Sequence, residues 1–198
     1  MSIPTKGRLP ARERLLAAAD ELFYEEGVHS VGIDRVIERA GVAKATLYSA
    51  FGSKDDLVGA YLAARHAAIR DRMTRELAAR YHTPRERLLG VFDIQGEAFT
   101  EPGFRGCPFI GASAEARPGS TIEEAAEEHR AWVRSLFLDL ALDLAKEANV
   151  NDPERLAQQL VLLYDGAGVA AWMDREPGAA AAARAVATAL IDAGRSST

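Results

Sequence analysis

The sequence predicts an all-α fold in which a small N-terminal body of three helices is joined by one long helix to a larger helical body. Three observations predict it. The 198 residues are rich in Ala, Leu, Glu and Arg, and glycines and prolines punctuate them. Apolar residues recur at helical spacing, with no convincing run of period two. One stretch, from about residue 54 to 81, keeps that spacing without a break.

Each element has a local reason. The first helix is expected from about Pro10 to Glu26, with Leu15, Leu16, Ala19, Leu22 and Phe23 on one stripe and Gly27 as its stop. A short second helix spans about Ile33–Ala40 and ends at Gly41; a third covers about Lys44–Ala50. The fourth starts after Ser53, whose hydroxyl can cap it while Asp56 completes a capping box. Its stripe is Leu57, Val58, Tyr61, Leu62, Ala68, Ile69, Met73 and Leu77. At 1.5 Å per residue it is a rod of roughly 42 Å, long enough to join two bodies. Further helices are expected at about 84–100, 110–116, 122–148, 153–174 and 178–193. Only the ends, about 1–8 and 194–198, read as loose.

Composition narrows the class. With 48% hydrophobic and 27% charged residues, the chain reads as an ordinary soluble globular protein. No apolar run approaches a membrane span and the start lacks a signal-peptide core, so a cytoplasmic protein is expected. Cys107 is the only cysteine, which excludes an intrachain disulfide. The net charge of −5 argues against nucleic acid only until its distribution is seen. Residues 81–198 carry 11 basic and 18 acidic side chains, whereas residues 1–60 carry 8 and 9. Lys6, Arg8, Arg12 and Arg14 cluster at the start.

The stretch GVAKATLYSAFGSKDDL, Gly41 to Leu57, carries the function. Two short helices joined by a tight turn have the shape of a helix-turn-helix, whose second helix enters the major groove of DNA. Helical spacing turns Val42, Leu47 and Phe51 inward and leaves Ala43, Lys44, Ala45, Thr46, Tyr48 and Ser49 outside. Small residues let such a helix sink between the phosphate walls. The hydroxyls of Thr46 and Tyr48, with Lys54, can hold phosphate oxygens. The competing reading makes Tyr48 a half-buried aromatic and Lys54 a solvated lysine. Lys44 suits either a base edge or a phosphate, and Arg12 either a DNA-contacting arm or an unspecific basic terminus.

Gly41, Val42, Lys44, Thr46, Leu47, Tyr48, Phe51, Ser53, Lys54 and Leu57 form an ordered string that resembles the signature of the TetR (tetracycline-repressor-like) family of transcriptional regulators. The likeness covers about residues 10–60; beyond them only the all-helical layout, the length and an Arg-Gly-Cys at 105–107 are similar. The chain departs from the family at Gly32 and Ala43, where Ser or Thr is usual as an N-cap, and at Ile37, where alanine is usual. The resemblance implies a helix-turn-helix DNA-binding domain, residues 1–55, and a helical effector-binding and dimerisation domain, residues 56–198. It further implies a homodimer on a palindromic operator of double-stranded DNA, released by a small effector. The last two helices would pair with their twins through Leu160, Tyr164, Gly168, Trp172, Val186 and Leu190.

An effector site is expected where aromatic side chains gather: Phe92, Phe99, Trp132 and Tyr164, with Phe104, Phe109 and Phe137 near them, and Gln95 and His129 as the polar residues on apolar stripes. Both polar residues read first as satisfied core groups and second as ligand contacts. Glu123 to His129, EEAAEEH, reads as a solvated face and not as a metal site, because four glutamates suit a helix start and no His-Glu-x-x-His is present. Cys107 reads as a small residue at a helix start, with no second cysteine to support a thiol sensor. No phosphate-binding glycine loop, nucleophile elbow or cofactor motif is found. Two alternatives remain: an effector-independent DNA-binding dimer and, remotely, an all-helical enzyme using His129 and Asp165.

Overall fold

The computed structural model describes residues 9–114, 116–148 and 150–194; the loose ends expected at 1–8 and 195–198, with Lys6 and Arg8, lie outside them. Every element among the described residues is an α-helix: α1 Ala11–Glu26, α2 Ile33–Ala40, α3 Lys44–Phe51, α4 Lys54–Arg80, α5 Pro84–Phe99, α6 Pro108–Ser113, α7 Thr121–Glu147, α8 Pro153–Met173 and α9 Ala179–Ala193. Local chemistry sets most of these ends. Ser53 accepts from the Asp56 N–H at 3.0 Å and donates its hydroxyl to the Asp56 carboxylate at 2.6 Å, opening α4. Thr83 and Glu86 close a full capping box ahead of Pro84, and Asp152 caps α8 ahead of Pro153. By contrast Gly32 and Ala43 cap α2 and α3 with no side-chain bond.

Two compact units result, one of the chain up to Arg65 together with Pro108–Ala126, the other of His66–Cys107 with the chain from Glu127 onward. In the first, Leu15, Leu22, Phe23, Val36, Leu47, Leu57 and Tyr61 are buried, and the rings of Phe23 and Tyr61 meet edge to face at 5.7 Å. Arg65 ties α4 to α1. Its guanidinium pairs with Asp20 at 2.5 Å and lies 4.0 Å above the Tyr24 ring. The start of α7 joins this unit through the Thr121 hydroxyl, which donates to the Asp55 carbonyl at 2.9 Å.

The second unit has its core between α5, α7, α8, α9 and the later part of α4, where Leu88, Val91, Phe92, Phe137, Leu160, Ala187 and Ile191 are buried. Glycines let the helices close in. A Cβ on Gly90 would stand 2.7 Å from the Tyr81 ring, and one on Gly96 would stand 2.9 Å from the Ala180 methyl.

Two expectations need correction. The short helix expected at 110–116 runs Pro108–Ser113, because proline is pre-set for a first helical position and the Ser113 hydroxyl bonds back to the Phe109 carbonyl. On α4 Ala68 is exposed, while His66, absent from the expected stripe, is buried. His66 follows Leu62 by four residues and precedes Met73 by seven, so helical spacing places it inward.

Replacing Gly90 with Ala drives a methyl into a Tyr81 ring that is also held by its hydroxyl bond to Asp93 at 3.3 Å. A loss of about 1–3 kcal/mol in urea unfolding is expected. Most of it should vanish in a Tyr81→Ala background, which a double-mutant cycle measures.

Candidate nucleic-acid interface and effector core

The helix α3 exposes one face. Leu47 is fully buried, which turns Ala43, Lys44, Ala45 and Ser49 to solvent and leaves Tyr48 45% exposed. Thr46 and Lys54 are half-buried. Gly41 takes the left-handed conformation at φ 60° and ψ 50° that the turn requires. Its N–H returns to the α2 carbonyls of Ile37 and Glu38.

Arg14 was not foreseen as part of this site. One nitrogen of its guanidinium donates to the carbonyls of Ala40 at 2.7 Å and Gly41 at 3.0 Å, so α1 clamps the turn. No local signal marks this role, since the partners lie 26 and 27 residues apart. Charge pairs on the outer surface lock α1 to α2: Arg39 forks onto Glu21 at 2.6–3.0 Å and Arg35 onto Glu26 at 2.5–2.9 Å. Lys44 lies 3.1 Å from Asp34, and that hydrogen bond raises the lysine pKa. The Arg12 guanidinium sits 4.7 Å above the Phe51 ring.

In the second unit the expected effector residues fall into three groups. Phe92 stacks at 5.8 Å on Phe137, which meets Tyr164 at 5.7 Å; burial pushes the tyrosine hydroxyl pKa upward. Gln95 is buried beside them and donates its amide to the Tyr164 carbonyl at 2.9 Å, while its own Oε1 has no hydrogen-bond partner. Phe99 pairs with Phe104 at 5.1 Å. The third group is His129 and Trp132 with His66. The two Nδ1 atoms of the histidines are 3.3 Å apart and both rings lie 5.6 Å from the indole. Phe109 is buried too, but belongs to the first unit. Asp165, the other half of the enzyme alternative, is engaged by Arg130 at 2.7 Å. Among the described residues no three His, Cys, Asp or Glu side chains are grouped to hold a metal ion, and no helix is long and apolar enough to cross a membrane.

Residues 15–61 match the family model described as bacterial regulatory proteins, tetR family. The crystal structure of a TetR-family transcriptional regulator from Streptomyces coelicolor superposes with a TM-score of 0.84 at 32% identity, over 93% of this chain and 95% of that one. The chain belongs to the TetR family. Among curated relatives, the transcriptional repressor NemR of Escherichia coli K12 is 28% identical over 83% of this chain and 85% of its own length. The transcriptional activator FasR of Mycolicibacterium smegmatis is 48% identical, over only 28% of this chain. This TetR-family chain is a DNA-binding transcriptional regulator.

On α8 and α9 of this TetR-family protein, one expected interface residue must be withdrawn. Leu160 is fully buried in the core of its own chain and has no surface to offer a partner. Helical spacing shows why: it continues the inward stripe of Leu156 and Ala157. Trp172 and Val186 are about half exposed, and Tyr164, Gly168 and Leu190 are half-buried. Leu162, Val169 and Met173, overlooked in the sequence, are exposed at 72%, 38% and 67%.

Burial, the neighbouring His66 and Arg130 together hold the His129 pKa down at about 4. The unfolded chain, with an ordinary histidine pKa near ~6.5, therefore binds the proton more readily than the folded one. Stability is full above about pH 6.5 and falls as pH drops towards 4, by up to about 3 kcal/mol from this group. Urea unfolding between those limits should show the fall, and His129→Leu should flatten the slope relative to wild type.

Proposed function

We propose that this TetR-family protein is a repressor that binds a palindromic operator as a homodimer and leaves it when a small, largely apolar effector binds. Residues 1–55 would read the DNA, and residues 56–198 would hold the effector and form the dimer. The observation that carries the DNA reading is the outward face of α3. Tyr48 stands exposed among small side chains while Leu47 anchors the helix from behind. Tyr48, Thr46 and Lys54 hold phosphates; Lys44 and Ser49 face base edges, with Ala43 and Ala45 allowing close approach. Arg12 adds charge beside the same helix.

Leu162, Val169, Met173 and Val186 supply the apolar surface for a second copy. Two subunits place two reading helices on half-sites one helical turn, about 34–36 Å, apart. For the effector, the unpartnered Gln95 Oε1 is the supporting observation. A buried acceptor left unbonded costs about 1–3 kcal/mol, which an effector carrying an N–H or O–H recovers. Phe92, Trp132 and Tyr164 supply apolar wall, with His129 a second polar contact. A ligand shifts the operator-bound state only by its differential affinity, typically about 1–3 kcal/mol.

A second reading, a regulator without an effector, is favoured by the complete burial of Phe92 and Phe137 and by the Gln95 bond to the Tyr164 carbonyl. A thermal-shift screen with small apolar compounds decides between them: a rise in Tm with one compound class supports the effector, and none across the screen supports the second reading.

Gel-shift titration against the DNA flanking its own gene tests the operator reading. Tyr48→Phe with Lys54→Ala should weaken binding about tenfold or more and lower the salt slope by about one. Unchanged affinity and slope would remove both residues from the interface. Gln95→Leu should keep operator binding while blunting release by any compound found in the screen.

A further inference from the structure

An open cleft of about 440 Å³ lies in the second unit between the loop from α5 to α6 and the turn from α8 to α9. Its walls are aromatic. Phe99 and Phe104 form one side. Trp172 forms the other, its ring resting on the backbone of Gly106 so closely that a Cβ there would stand 2.9 Å away. The indole is nonetheless 49% exposed.

The charges in the cleft are unevenly committed. Glu101 is taken by Arg72, and Glu176 accepts the Gly178 N–H at 2.9 Å, so both carboxylates have partners. Arg105 adds positive charge to the lining. Arg175 lines the cleft too, and no ion pair or hydrogen bond to its side chain is found among the described residues. Its backbone is the unusual feature: φ is 54°, the only positive value at a non-glycine among the described residues. It directly follows Asp174, the C-cap of α8, at a place where glycine is the usual occupant because a Cβ is strained there. An arginine at this position costs the fold something, and no hydrogen bond or ion pair of its side chain among the described residues offsets it. Strain held at an unpaired cation beside open aromatic surface is the pattern of a binding site.

The geometry points to a site for a planar aromatic carboxylate, its ring between Trp172 and the Phe99–Phe104 pair and its carboxylate on the Arg175 guanidinium. Each part needs the other. An exposed ion pair alone is worth little in water, and the ring adds apolar burial and stacking while the guanidinium fork matches a carboxylate's two oxygens. A neutral aromatic gains the stacking only, and a small aliphatic acid the ion pair only.

Titration calorimetry on the full chain with benzoate tests this, without reference to DNA or to the effector core. Benzoate should bind one site per chain with a dissociation constant on the order of 1 mM. Benzyl alcohol and cyclohexanecarboxylate should each bind at least about tenfold more weakly. Arg175→Gly should weaken benzoate about tenfold or more while leaving Tm unchanged or raised, since glycine accepts that backbone without strain. Arg175→Gln, which keeps a side chain but loses the charge, should weaken binding similarly. The proposal is overturned if benzoate fails to bind at about 10 mM, if either Arg175 variant binds it as well as wild type does, or if the alcohol or the saturated acid binds equally well.

Discussion

The DNA-reading geometry depends on how the C-terminal carbonyls of α2 are satisfied. A helix end leaves its last carbonyls without partners inside the helix, and here the chain must also reverse at once into α3. Gly41 turns left-handed and sends its N–H back to Ile37 and Glu38. Arg14 reaches from α1 to the carbonyls of Ala40 and Gly41. These contacts hold the turn from both sides, which sets where α3 begins. Since Ala43 and Gly32 contribute no capping side chain, the motif relies on long-range clamping where capping residues would otherwise act.

Around that turn, charge pairs do for orientation what the small core cannot do alone. Arg35 and Arg39 grip Glu26 and Glu21, and Arg65 grips Asp20 while stacking on Tyr24. Exposed pairs of this kind add little stability each. Their bidentate geometry instead limits how α1, α2 and the start of α4 can rotate. Lys44 is paired in the same way, at 3.1 Å from Asp34, on the exposed face of α3.

The second unit solves a different problem, that of burying polar groups. His66 and His129 are both buried and meet at their Nδ1 atoms, where one ring can donate to the other so long as the two are not both protonated. Gln95 satisfies one end of its amide on the Tyr164 carbonyl, next to Gly168. The other end has no bond. With Arg14 Nε and Arg87 Nε it is one of three buried side-chain atoms without a partner among the described residues, and the only acceptor of the three, which makes it informative.

What the sequence by itself determined was local. Caps and stops at Gly27, Gly41, Ser53, Pro84 and Pro153 act within a few residues, so helix ends were legible to within a residue or two at most elements. The outward face of α3 was legible for the same reason, because one buried Leu47 at helical spacing orients its neighbours. Tertiary structure alone decided the pairings. Arg14 with the turn, Lys44 with Asp34, and His66 with His129 join residues 10 to 63 positions apart, and no spacing rule specifies such partners. It also decided that Leu160 is spent inside its own chain while Leu162 is left exposed. On a helix with apolar residues on more than one face, periodicity identifies the faces but not which of them the rest of the chain will cover. The strained Arg175 belongs to the same class, since a residue's φ is set by the turn that closes around it.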